Sequence, residues 1–256
     1  MANYHLEIRV ISRKKGLSVT GLANYISGRK LSDSRTDMTY RRERHDVPYC
    51  QIFHPTIAPP GFDNLQQLCN QIEAAEIRKD ARTAREFIGS LPNELSLHQM
   101  VHIVCDFVEE NFVNHGLCAI AAIHEGRNKT DPSRNNPHVH IIVPTRTVGP
   151  DGFSKKKDRE HDNRKYIAIW REQWALIQNR TYERNGLDIR VSHECLKVQG
   201  IDRVPLNHLR RIDWQKEQHG EHTYAGDKRR AITGQNAKRT QQRQIERGYE
   251  LDMELC

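Results

Sequence analysis

Apolar and polar residues along this chain follow two periods, one of two residues and one near 3.6. "NYHLEIRVI" (residues 3–11) alternates in steps of two and predicts a strand, followed by the basic turn "SRKKG". Ser18 stands where a helix cap would, and the spacing predicts a short helix through Tyr25 that stops near Gly28. Residues 29–46 are almost wholly polar and predict a mobile loop. "YCQIFHP" predicts a short strand ended by the Pro-rich "HPTIAPPG". A helix is expected from about Phe62 to Lys79, then a strand over "TAREFIGSLP" stopped by Pro92. From Ser96, "LHQMVHIVCDFVEENFVNH" has helical spacing and ends at Gly116. Two apolar runs, "LCAIAAIHE" and "HVHIIVPT", flank a polar loop at 125–137 and predict an antiparallel pair of strands. "GPDGF" marks a turn, and "YIAIWREQWALIQNRTYERNG" predicts a helix closed by glycine.

From about Val204 the chain turns polar and Arg-rich, which predicts helix with little packing. We therefore expect residues 1–203 to form one domain and residues 204–256 a basic extension, helical or partly disordered. The fold class expected is α/β (α+β), with a central antiparallel sheet, helices covering one face, and "HVHIIVPT" as a central strand. No internal repeat is present, and no turn has the Gly-rich pattern of a nucleotide-binding fold.

Composition narrows the partners. The 256 residues carry a formal charge of +7, and the mean hydropathy is -0.80 with a pI near 9.1. A basic balance of this kind suits a polyanion, nucleic acid before an acidic membrane. No apolar run is long enough to span a bilayer, so membrane insertion is not expected, and "MANYHLEIRVISRKKG" lacks a signal-peptide layout. The six cysteines are scattered with no C-x-x-C pair, which argues against a disulfide framework or a cysteine zinc site and fits a reducing cytoplasm.

The chemistry concentrates in "NNPHVHIIV" (residues 135–143). On a strand, His138 and His140 point to the same face, about 7 Å apart along the chain. His124 ends the preceding strand, and an antiparallel pairing places it opposite them. Three neutral imidazoles with open coordination positions suit a divalent ion: zinc, manganese, nickel or cobalt, with magnesium also admitted. An H-x-H pair alone is weak evidence in a chain with 14 histidines. The Asn-Pro lead, the β-branched run and the third histidine strengthen it.

These segments resemble a family. "IHEGRNKTDPSRNNPHVHII" is similar to the three-histidine motif of MobA/MobL relaxases, the plasmid mobilization nickases with an HUH-type fold. "YHLEIRVISRKKGLSVTGLANYISGRKLSD", "AREFIGSLPNELSLHQMVHIVCDFVEENFVNHGL", "WREQWALIQNRTYERNGLDIRVSH" and "GIDRVPLNHL" resemble the family's other segments in order, over most of residues 1–210. The resemblance implies Tyr25 as nucleophile and His124, His138 and His140 as metal ligands. Two features depart from the family pattern: a longer loop between His124 and His138, and no acidic residue in "CAIAAI".

A tyrosine nucleophile must lose a proton with a pKa of about 10. A metal charge or a carboxylate base would ease that loss. Glu86 is the candidate carboxylate, with Glu94 second. Of the other tyrosines, Tyr4 falls on a strand, Tyr40 and Tyr49 flank a loop, and Tyr166 and Tyr182 lie on an amphipathic helix. The substrate implied is single-stranded DNA at a plasmid transfer origin, with phosphates held by Arg13, Lys14 and Lys15, by Arg41, Arg42 and Arg44, and by Lys155, Lys156 and Lys157. A relaxosome accessory protein and a type IV secretion coupling protein are the further partners expected. The place of action is the bacterial cytoplasm, with export of the DNA-linked form to a recipient. Rival readings are a rolling-circle replication initiator or transposase of the same chemistry, and a non-catalytic DNA-binding regulator. Tyr25 precedes the histidines, which favours a relaxase over the first two. A histidine-triad hydrolase needs a histidine where Ile142 stands.

Overall fold

A computed structural model describes residues 4–128, 131–132 and 135–254. The chain divides into two compact units, Met1–His193 and Glu194–Cys256. In the first, five strands form one sheet: β1 (Leu6–Ser12), β4 (Tyr49–Phe53), β5 (Arg82–Ser90), β6 (Ala119–His124) and β7 (His138–Pro144). Two small hairpins are built from β2 (Leu31–Asp33) with β3 (Met38–Tyr40), and from β8 (Val148–Gly149) with β9 (Gly152–Phe153). The helices are α1 (Val19–Ser27), α2 (Leu65–Ala74), α3 (Leu97–Asn111) and α4 (Lys165–Arg184).

The sheet runs β1-β5-β7-β6-β4 with every neighbouring pair antiparallel, so the H-x-H strand is the middle one. In register, His124 lies opposite His138 and Ala122 opposite His140. The expected pairing of the two apolar runs is therefore present.

Helices cover both faces of this sheet, not one. Val139, Ile141 and Val143 face α3 and α4, where Phe87, Phe107, Phe112, Trp170 and Trp174 form an aromatic core. Ile120, Ala122 and Ile142 face α1 and α2, through Val19, Ala23, Ile26, Leu68 and Ile72. The reason is visible in β6, buried at all six positions. A strand apolar on both sides needs a cover on both sides.

Capping decides where the helices begin. Ser18 Oγ accepts from the Gly21 amide (3.2 Å) at the head of α1. Asn64 Oδ1 accepts from the Gln67 amide (3.0 Å), which starts α2 later than expected. Ser96 and Gln99 form a reciprocal capping box on α3. The segment expected as a mobile loop holds the β2–β3 hairpin instead. Its Leu31 and Asp33 are buried, and Asp33 Oδ2 accepts from Ser18 Oγ (3.2 Å). Its exposed positions are mostly polar, while Asp33 and the Ser32 backbone hydrogen-bond to the body of the domain.

The second unit contains α5 (Arg211–Gln218) and α6 (Tyr224–Glu254). Asn236 fastens the chain before α5 to α6: Oδ1 accepts from the Val204 amide (2.8 Å) and Nδ2 donates to its carbonyl (2.9 Å). Among the described residues, no helix is long and apolar enough to cross a membrane.

Candidate active site

Strand alternation delivers the histidines. His138 and His140 leave β7 on the α1 side of the sheet, and His124 leaves the end of β6 beside them. Ring centroids are 5.2 Å apart for His124–His138, 4.7 Å for His124–His140 and 5.2 Å for His138–His140. One ring nitrogen of each lies within 4.8 Å of the other two, with His124 and His140 buried.

Each ring is tied to the protein through a single nitrogen. His124 Nε2 lies 2.8 Å from the Ile26 carbonyl, His138 Nδ1 lies 2.7 Å from the Asn136 carbonyl, and His140 Nδ1 lies 2.8 Å from a Glu86 oxygen. A carbonyl or carboxylate oxygen only accepts, so each of these nitrogens carries the hydrogen. The tautomer is then fixed, and the other nitrogen presents a lone pair. His124 Nδ1 and His140 Nε2 are buried with no hydrogen-bond partner. Two orphaned buried acceptors converging with a third imidazole is costly unless an ion completes them. The anchored-nitrogen pattern is the one that orients imidazole ligands on a metal. The residues present thus fit a divalent cation held by three nitrogens.

Burial also favours the neutral rings of His124 and His138. It lowers the His124 pKa to about 4, against the help of the Ile26 carbonyl, and it lowers that of His138. Protons then compete weakly for these lone pairs at neutral pH.

Tyr25, on α1, stands edge-on to two of the rings, with centroids 5.8 Å from His124 and 5.6 Å from His140. Two guanidinium carbons, of Arg42 and Arg44, each lie 4.8 Å from the Tyr25 ring centroid. Asp46 grips Arg44 through two bonds, 2.8 and 2.6 Å. That fork, opposed by burial and aided by the Tyr25 hydroxyl, raises the Arg44 pKa, while Arg44 holds Asp46 down at about 2. Two features lock this segment against the site. The Glu125 amide, next to His124, donates to the Asp46 carbonyl (3.0 Å). Gly28 ends α1 at φ +66°, and a side chain there would come within 3.0 Å of the Arg44 backbone.

The sequence-derived residues separate into those the fold brings together and those it does not. Tyr25, Glu86, His124, His138 and His140 share one site. The Glu86 carboxylate is bound to His140, reached from β5 across the sheet. Glu94 falls in the turn before α3, near enough to Tyr182 to bear on its hydroxyl. The Arg13 side chain is 6% exposed, with its guanidinium on Glu73 (2.8 Å) and on the carbonyls of Glu73 and Glu76. Lys157 Nζ reaches Glu76 (3.2 Å). Lys14, Lys15, Lys155 and Lys156 are exposed. Of the other tyrosines, Tyr4 donates to the Arg171 carbonyl (2.7 Å), and burial raises Tyr4, Tyr49 and Tyr182. Sequence reasoning missed Arg9 and Asp46. Arg9 lies opposite Glu86 in the β1–β5 register and is gripped by Glu7 (2.7 Å). The alternation of Glu7, Arg9 and Ile11 on one side of β1 was the available signal.

The sequence profile of the MobA/MobL family matches residues 17–219. A probable mobilization protein MobA of Bifidobacterium longum (strain NCC 2705) is 35% identical over 253 residues, covering 81% of this chain and 43% of that protein. Mobilization protein MobL of Acidithiobacillus ferridurans is 30% identical over 238 residues, covering 82% of this chain and 62% of that protein. The chain thus spans about half the length of the curated relatives it matches. A solved structure described as "Molecular Basis of Vancomycin Resistance Transfer in Staphylococcus aureus" is 25% identical, covers 76% of this chain and 100% of that chain, and superposes with a TM-score of 0.68.

Proposed function

The chain belongs to the MobA/MobL family, and from that premise we propose that it is a metal-dependent relaxase that nicks and rejoins one DNA strand at a plasmid transfer origin. The observation that carries this reading is the site itself: three imidazoles, each anchored through one nitrogen and open at the other, set against a tyrosine ring. A divalent cation held by His124, His138 and His140 would polarise the non-bridging oxygens of the scissile phosphate and offset the charge of the transition state; manganese, magnesium, zinc, nickel and cobalt are the candidates.

In the proposed reaction Tyr25 Oη attacks phosphorus as the phenolic proton departs. The bond from phosphorus to the 3′ oxygen breaks, and that oxygen takes up a proton. The products are a 5′ phosphotyrosyl link and a free 3′ hydroxyl. The link keeps a phosphodiester's bond energy, so attack by a 3′ hydroxyl reverses the step and recircularises the strand. Arg44, preset by Asp46, supports the oxygen of Tyr25 as its charge develops. Glu86 acts through His140: it fixes the tautomer that turns Nε2 toward the cation. We assign nicking to residues 1–203, and to 204–256 the part of a basic extension. Lys14, Lys15, Lys155 and Lys156 are exposed and available to DNA phosphates. A relaxosome accessory protein and a secretion coupling protein are the partners such a protein would meet.

The test is the polarity of the nick. A supercoiled plasmid carrying the transfer origin is incubated with protein and manganese, and the ends are then mapped. The reading expects a 3′ end that a polymerase extends and a 5′ end shielded from exonuclease until the protein is digested. A nick with an open 5′ phosphate would point to hydrolysis and overturn the transesterification.

A further inference from the structure

Beside the histidine cluster, a groove of about 530 Å³ runs between β1 and α1. Leu17 (47% exposed), Leu22 and the buried Ile11 give it apolar wall. Tyr25 and Tyr40 also line it, as does Arg42. Tyr40 is packed close over α1, one turn before Tyr25: a side chain at Gly21 would meet the Tyr40 ring at 3.0 Å. The backbone of Arg42 is clamped by the buried Asn24. Asn24 Nδ2 donates to the Arg42 carbonyl and Oδ1 accepts from its amide, both at 3.3 Å. The Arg42 guanidinium is exposed, and among the described residues it has no carboxylate partner. By contrast, Arg9 on the opposite wall is taken by Glu7 and Arg44 by Asp46.

Apolar walls, a half-exposed aromatic ring and a cation without a carboxylate partner are the recognition elements of a nucleotide. The volume falls within the ordinary range for small-ligand sites. We infer that this groove is a single-nucleotide subsite for the DNA strand beside the scissile phosphate, with Tyr40 stacking the base and Arg42 holding a phosphate. This rests on the nicking reading for its place in the reaction, since Tyr25, Glu86 and His140 line the same groove as Tyr40 and Arg42. Because stacking reads any base's face, Tyr40 gives affinity and registers the strand against Tyr25 without selecting a sequence.

The test measures binding without nicking. Fluorescein-labelled oligothymidylate of eight nucleotides, and an octamer of the same backbone with every base removed, are titrated against the whole chain in EDTA by anisotropy. Tyr40→Leu is expected to weaken the thymidylate about 5- to 150-fold, the range of one base–aromatic stack, and to leave the abasic octamer unchanged. Tyr40→Phe keeps the ring and should bind as the parent does, which separates stacking from a folding defect. Arg42→Gln should weaken both octamers alike and lower the slope of log K against log salt by about 0.7, one phosphate's share. Equal loss on both octamers for Tyr40→Leu, or no binding of either by the parent, overturns the subsite. Since no covalent step is read, loss of adduct formation elsewhere would fell the nicking proposal and leave this one standing.

Discussion

The two faces of one sheet have been given opposite tasks. On the α3–α4 side, Val139, Ile141 and Val143 vanish beneath five large aromatic rings. On the α1 side the same strand offers His138 and His140, with Glu86 and Tyr25 against them. Successive residues of β7 thus serve stability and chemistry in turn. The dry face tolerates what the other costs: buried lone pairs without partners, and an open groove at the sheet's edge. A site whose imidazoles must hold position without moving gains from a rigid wall directly behind it.

This contrast can be broken from either side. The largest effect on folding is expected from Phe107→Ala, which empties the aromatic face. It should cost about 3–5 kcal/mol, read as a lower urea midpoint, while molecules still folded keep their cation affinity. If affinity fell in proportion, the faces would not be separable. On the other face, Glu86→Ala should weaken cation binding about 10- to 100-fold with a smaller effect on the urea midpoint, and Glu86→Gln, which can still accept from His140, should recover part of it. Calorimetry with manganese or zinc reads both. An unchanged affinity would deny Glu86 its hold on the ring.

The third effect is on pH. Burial places the folded His124 pKa at about 4, below its ordinary 6.5. As pH falls from 6.5 the unfolded chain takes up a proton that the folded chain refuses. Stability is therefore full above 6.5 and is lost as pH falls toward 4, on the order of 1–2 kcal/mol by pH 5. His138 acts in the same direction. Urea midpoints in EDTA should follow this slope, and His124→Gln should reduce it to the His138 share. A slope undiminished in that variant would assign it elsewhere. The smallest effect is expected at the surface. Lys155→Gln and Lys156→Gln should each lower the salt slope of single-strand binding by up to about 0.7 and leave the urea midpoint unmoved.

Much of this was legible in the sequence where the information is local. The strand period and the spacing of His124, His138 and His140 disclose the cluster, because an antiparallel pair needs only adjacent runs. Capping residues disclose α1 and α3 for the same reason. What depended on distant partners was not legible. Arg13 sits in a basic run, yet Glu73, sixty residues on, draws it inside. Glu86 reads as a free carboxylate until the register of β5 against β7 sets it diagonal to His140. The cover on both faces was written in "LCAIAAIHE", whose unbroken apolar run has no side left for water. Residues 29–46 misled because a mostly exposed hairpin is polar too, and what fastens it, Asp33 to Ser18 and the Ser32 backbone to Gln66, comes from distant partners. Parts of the long 125–137 loop lie outside the described residues.

The most direct measurement is a denaturing gel. Labelled single-stranded DNA carrying the transfer origin is incubated with the protein and with Tyr25→Phe, each with manganese and with EDTA. The account predicts a slow-migrating covalent adduct only for the parent with manganese, and a peptide map that places the nucleotide on Tyr25. An adduct that survives in Tyr25→Phe, or forms equally in EDTA, would contradict it.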